Sequence, residues 1–92
     1  WLSAFTLDPN VAGVSVAGVI ARLAEEMIEA RPVWKPMHQQ PVFAGCRHFA
    51  HGNTAVSDRI FETGLCMPSG SNMTPGEIAR VVDVMRSVLK GR

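Results

Sequence analysis

Ninety-two residues with a formal net charge of +1 fit one small domain and give no bulk electrostatic reason to bind nucleic acid. A composition that is 47% hydrophobic and 18% charged is that of a globular chain, and two cysteines are too few for a disulfide scaffold and fit a reducing cytoplasm. The longest weakly polar run, 11–21, contains Ser15 and is closed by Arg22, which leaves it short of the about 20 apolar residues that cross a bilayer. No secretory signal pattern is visible, and a start at Trp1 in place of Met leads to the expectation of a fragment.

Residues 1–7 mix aromatic and β-favouring side chains in rough alternation and predict a strand, with a turn at Asp8-Pro9-Asn10. Val16, Val19, Ile20, Leu23 and Met27 recur at helical spacing behind Ser15, a good N-cap, so a helix is expected over 15–27. Residues 27–33 should return as an extended segment, because Pro32 biases Arg31 away from helix. Residues 34–52 lack periodicity and read as loop. A short helix follows over 54–63, with Asn53 or Thr54 as its cap and Gly64 as its stop. Leu65-Cys66-Met67 predicts a brief buried strand, and 69–72 a turn. Thr74-Pro75-Gly76-Glu77 has the form of a capping box with proline at the first helical position. Its helix carries Ile78, Val81, Val82, Met85 and Leu89 as an apolar stripe and should end at Gly91. The expected fold class is α+β, a short antiparallel sheet covered by amphipathic helices.

The run from Arg31 to Pro41 has the most unusual chemistry. Arg31, Trp34, Lys35 and His38 fall within one segment stiffened by three prolines, and no carboxylate lies between Glu29 and Asp58. Arg31 can donate a bidentate pair to phosphate or carboxylate, and Lys35 can add a point charge. Trp34 offers a flat face, while His38 and Gln39 supply directional polar contacts. Those roles suit a phosphorylated or nucleotide-linked molecule. The residues alone leave a second reading open, a proline-rich connector whose charges face water and whose Trp34 packs on the core.

Other constellations carry less. Cys46, His48, His51 and Cys66 are possible metal ligands, but they lack the paired spacing of zinc modules, and Cys66 reads as a small buried hydrophobe. Cys46 has His48 near it but no orienting carboxylate in its segment, so a cysteine nucleophile is not supported. Glu25, Glu26 and Glu29 read as a solvated helix end. Residues 69–72 before a capped helix could border an anion site, although a plain strand-to-helix connection uses the same residues.

Four features in order carry a family resemblance: the opening Trp1-Leu2-Ser3, the segment Glu29–His38 with Gln40–Phe43, the Gly64–Ser71 turn, and the final capped helix. Together they resemble the C-terminal part of pyridoxal-phosphate-dependent sugar aminotransferases of the DegT/StrS family. The second and third features look most like members acting on UDP-linked 4-keto-6-deoxy amino sugars.

The resemblance implies that 1–92 is the C-terminal small domain of a fold-type-I aminotransferase. Such an enzyme moves an amino group from glutamate, through pyridoxal 5'-phosphate, to a keto sugar nucleotide, in the making of cell-surface polysaccharide or glycan precursors. It further implies a cytoplasmic homodimer with active sites near the subunit interface. Neither Lys35 nor Lys90 matches the family's Schiff-base lysine, so the cofactor belongs to a separate large domain and this segment alone should not transaminate. By position, Arg31, Trp34, Lys35 and His38, with Ser69 and Ser71, fall on the substrate side, and no role passes to Cys46, His48 or His51. Two readings from other classes stand beside this one: a free-standing anion- or nucleotide-binding module, and a small metal-binding domain.

Overall fold

The computed structural model describes residues 1–90. Its centre is a single buried strand. β3 (Gly64–Met67) is buried at all four positions, with β1 (Ser3–Thr6) on one side and the two-residue β2 (Arg31–Pro32) on the other. Both pairings are antiparallel: Ser3 opposes Met67, Thr6 opposes Gly64, and Arg31 opposes Cys66. The short apolar run Leu65-Cys66-Met67 fits the middle of the sheet, and Pro32, which has no N–H to give, is confined to an edge. The α+β class is as expected from the sequence.

The predicted turn at Asp8-Pro9-Asn10 is instead the start of a one-turn helix, α1 (Pro9–Ala12). Asp8 caps it by accepting from the Asn10 amide at 2.9 Å, Pro9 takes the first helical position, and Gly13 closes it in the left-handed region at φ 70. Turn chemistry and cap chemistry use the same residues here.

α2 (Val16–Glu25) begins as predicted, with the Ser15 hydroxyl accepting from the Gly18 amide at 3.1 Å. It stops short of Met27. The amide of Ile28 reaches back to the Leu23 carbonyl at 2.9 Å, that of Met27 to Ala24 at 3.0 Å, and Met27 takes φ 58. This is a Schellman closure with methionine where glycine is usual, and Leu23 and Ile28 are both buried in the core. The chain thereby turns towards β2 while keeping apolar side chains inside.

Residues 34–52 form the expected loop, with two 3-10 turns over Met37–Gln39 and Pro41–Phe43. α3 (Val56–Thr63) follows, capped by Ala55 without any side-chain hydrogen bond, so neither Asn53 nor Thr54 caps it. Gly64 is not a left-handed stop; at φ −96 and ψ 142 it is already strand. α4 (Pro75–Lys90) has the predicted capping box: Thr74 Oγ1 accepts from the Glu77 amide at 3.2 Å, and Glu77 accepts from the Thr74 amide at 2.7 Å.

The apolar stripe of α4 is rotated from the predicted one. Val81, Val84 and Met85 pack on the core and Val88 is buried, whereas Ile78 and Val82 are exposed. The termination predicted at Gly91 lies outside the described residues. Val16, Val19, Leu23, Ile28, Leu65, Met67 and Val88 form the core between α2, α4 and the sheet. No helix among the described residues is long and apolar enough to cross a membrane.

Candidate functional site

Two concavities border the Arg31–Pro41 segment. The larger, of about 820 Å³, runs between the β2 edge, the Pro68–Met73 connection and the start of α4. Arg31, Trp34 and Ser69 line it, joined by Trp1, Glu29 and Arg80. The smaller, of about 430 Å³, lies under the loop and is lined by His38, Phe43, Cys46, Arg47, His48 and Ser57. The six residues expected at the site are thus divided. Arg31, Trp34 and Ser69 share the large cleft, His38 sits at the small hollow, and Lys35 and Ser71 are exposed outside both linings.

In the large cleft, β2 fixes the backbone of Arg31, and its side chain is held by Glu29, whose Oε1 accepts from Arg31 Nε at 2.8 Å. That pair is well exposed and worth little to stability, but it orients the guanidinium. Arg80 on α4 donates to the Glu26 backbone carbonyl at 2.5 Å and so ties α4 to the end of α2. Trp34 is 63% exposed and stands outside the core cluster. Its ring meets Trp1 at 5.9 Å between centroids, tilted by 48°. The result is a cleft walled by two indoles, in which Arg31 is paired with Glu29, Arg80 lies 3.7 Å from a Glu26 carboxylate oxygen, and Glu77 also lines the wall; the indoles suit a ligand with a flat or ring-shaped part.

Ser69 is engaged internally. Its hydroxyl accepts from the Ser3 amide at 2.7 Å and donates to the Met67 carbonyl at 2.7 Å, tying the open end of β1 to that of β3.

At the small hollow, His38 Nε2 lies 2.6 Å from Asp58 Oδ1, and Gln39 Nε2 donates to the same oxygen at 2.5 Å. The His38 ring stacks on His48 at 3.7 Å between centroids, with 17° between planes. The Gln39 hydrogen bond, followed by the bond and charge of His38 and the charge of His48, holds the Asp58 carboxyl below the usual carboxylate range in spite of partial desolvation. Asp58 and His48 are the participants that sequence reasoning missed. Twenty residues separate His38 from Asp58, and no periodicity links them.

Cys66 is buried in β3 and Cys46 is exposed. No group of three or more His, Cys, Asp or Glu side chains is placed to hold a metal among the described residues.

The residues present do not fit pyridoxal phosphate. A Schiff base needs a lysine amine within the cleft, yet the large cleft is lined by none; Lys35 lies outside it and Lys90 ends α4.

The sequence profile of the DegT/DnrJ/EryC1/StrS aminotransferase family matches residues 1–86. EpsN of Bacillus subtilis (strain 168), provisionally named a pyridoxal phosphate-dependent aminotransferase, is 48% identical over 86 residues, covering 92% of this chain and 21% of that protein. GDP-perosamine synthase of Caulobacter vibrioides is 34% identical over 62 residues, covering 67% of this chain and 16% of that protein. Among solved structures, DesI with its TDP-sugar product superposes with a TM-score of 0.80 at 24% identity, covering 99% of this chain and 23% of DesI. The sugar aminotransferase Spr1654 of Streptococcus pneumoniae, likewise provisionally named, gives 0.75 at 15% identity, covering 98% and 22%. The chain therefore spans about a fifth of the length of EpsN and of DesI.

Proposed function

The chain belongs to the DegT/DnrJ/EryC1/StrS aminotransferase family, and we propose that residues 1–92 are the C-terminal small domain of a pyridoxal-phosphate-dependent sugar aminotransferase. In that reading a large domain elsewhere in the parent protein carries the cofactor and its lysine. The reaction is amino transfer from glutamate to a nucleotide-linked 4-keto-6-deoxy sugar, with UDP as the nucleotide. The enzyme acts in the cytoplasm, as a homodimer, on precursors of surface polysaccharide or glycan.

The observation that carries this reading is the large cleft, where Arg31 and Trp34 stand together in a chain of this family. Arg31 suits the diphosphate, and Trp34 with Trp1 suits a ring packed against indole faces. Lys35 adds positive charge in the same segment from outside the cleft lining, His38 a directional contact at the smaller hollow, and Ser69 and Ser71 border the turn. Bulk exposure supports a covered face as well. The chain exposes 6768 Å², against about 5,200 Å² for a compact monomer of 10.0 kDa. Trp1, Met27 and Trp34, all in the cleft lining, are among its most exposed apolar side chains.

Replacing Arg31 by alanine in the parent enzyme tests the reading. The KM for the sugar nucleotide should rise about tenfold, in line with a lost charge-assisted hydrogen bond, while the cofactor's absorbance band stays intact. Loss of the band with unaltered sugar-nucleotide KM would contradict it. Calorimetry of residues 1–92 with a UDP-sugar addresses the binding-module reading: micromolar or tighter binding by this segment alone would favour the module.

A further inference from the structure

Asp58 has no sequence-level link to the Arg31–Pro41 segment, yet one of its oxygens receives both side chains at the far end of that segment. Oδ1 lies 2.6 Å from His38 Nε2 and 2.5 Å from Gln39 Nε2. An ionised carboxylate can only accept, so Nε2 of His38 carries the proton, and Nδ1 is the ring atom left to meet a ligand. The stack against His48, 3.7 Å between centroids, covers one face of the ring and restricts its rotation. Gln39 is fixed in the same way, its amide nitrogen on Asp58 and its carbonyl oxygen left over.

We propose that Asp58 is a positioning residue for the sugar nucleotide: from the first turn of α3 it sets the tautomer and the orientation in which His38 meets that substrate. The inference rests on the reading above, in which His38, at the smaller hollow, gives the sugar nucleotide a directional contact. Asp58 touches no substrate itself. Two features suit it to the task. It stands on a helix and not on the loop it restrains, and its carboxyl is held below the usual range, so it remains an acceptor at neutral pH. The arrangement is that of a carboxylate fixing a histidine through one ring nitrogen so that the other is presented.

A double-mutant cycle in the parent enzyme separates positioning from mere bracing. His38→Ala and Asp58→Ala should each raise the sugar-nucleotide KM about tenfold, with kcat and the glutamate KM within about twofold of wild type. Because Asp58 acts through His38, the double variant should be no worse than His38→Ala alone. A double variant impaired by the product of the two single effects overturns the proposal. So does an Asp58→Ala enzyme in which kcat, both KM values and the melting temperature all change together, the mark of a structural role. If His38→Ala raises the KM and Asp58→Ala does not, positioning fails and the site reading stands. If His38→Ala leaves the KM unchanged, the site reading for His38 fails and positioning falls with it. Asp58→Asn keeps an acceptor oxygen without the charge and covers the case of an alanine variant that does not fold. It should show a smaller rise in the same KM, and an unchanged value overturns the proposal.

Discussion

Val33 closes directly over Gly64. The Val33 amide donates to the Gly64 carbonyl at 3.2 Å, and a Cβ added at Gly64 would lie 2.8 Å from both methyl carbons of Val33 and 2.6 Å from the Ile60 carbonyl oxygen. The glycine is therefore required for space, at the point where α3 passes without a linker into the central strand. Its φ of −96 is open to any residue, so backbone strain plays no part. Gly64→Ala should destabilise the chain by about 1–3 kcal/mol, the usual cost of overpacking. Urea unfolding checks the value. Adding Val33→Ala should recover only part of the loss, because the Ile60 carbonyl cannot withdraw as a side chain can; full recovery would place the clash on Val33 alone.

The helix starts differ in kind, and stability should follow. Thr74 and Glu77 exchange two hydrogen bonds at the start of α4, whereas α3 begins at Ala55 with no side-chain cap. Thr74→Ala should cost about 1 kcal/mol. Asn53→Ala and Thr54→Ala, at exposed positions that cap nothing, should stay within about 0.5 kcal/mol of wild type. Thermal unfolding of the three variants under one set of conditions distinguishes them. A Thr54→Ala loss equal to that of Thr74→Ala would mean that a cap forms in solution.

Local signals explain which elements were legible in the sequence. Ser15, Thr74 and Glu77 cap because a cap depends on neighbours within three residues, and the central strand announces itself as an apolar run between Gly64 and Pro68. Asp8-Pro9-Asn10 was ambiguous for the same reason, since one set of residues serves a turn and a helix start. The stripe of α4 depends on which face meets α2 and the sheet, and spacing alone allows Val82 as readily as Val84. The segment from Arg31 to Pro41 stood out by composition. Its division between two concavities, and its attachment through His38 to Asp58, are set by how a loop of about twenty residues folds back, which no local pattern records.

That attachment has a pH signature. The Asp58 carboxyl lies below its ordinary range because Gln39 and His38 donate to it and the His38 and His48 charges favour its ionised form. A value depressed in the folded state means that the unfolded chain takes up a proton first as pH falls. The stabilisation is therefore fully present above the unfolded value of about 3.9, and it is lost as pH drops through the lower folded value. Asp58→Asn removes the charge at every pH. Its melting temperature should fall below that of wild type at pH 7, and the two should converge as pH drops below about 4. Circular dichroism melts of both proteins between neutral and acid pH provide the comparison. A gap that persists unchanged into acid would show that the charge is not the cause, and that the Asn amide N–H groups, which cannot accept from His38 or Gln39, account for the difference.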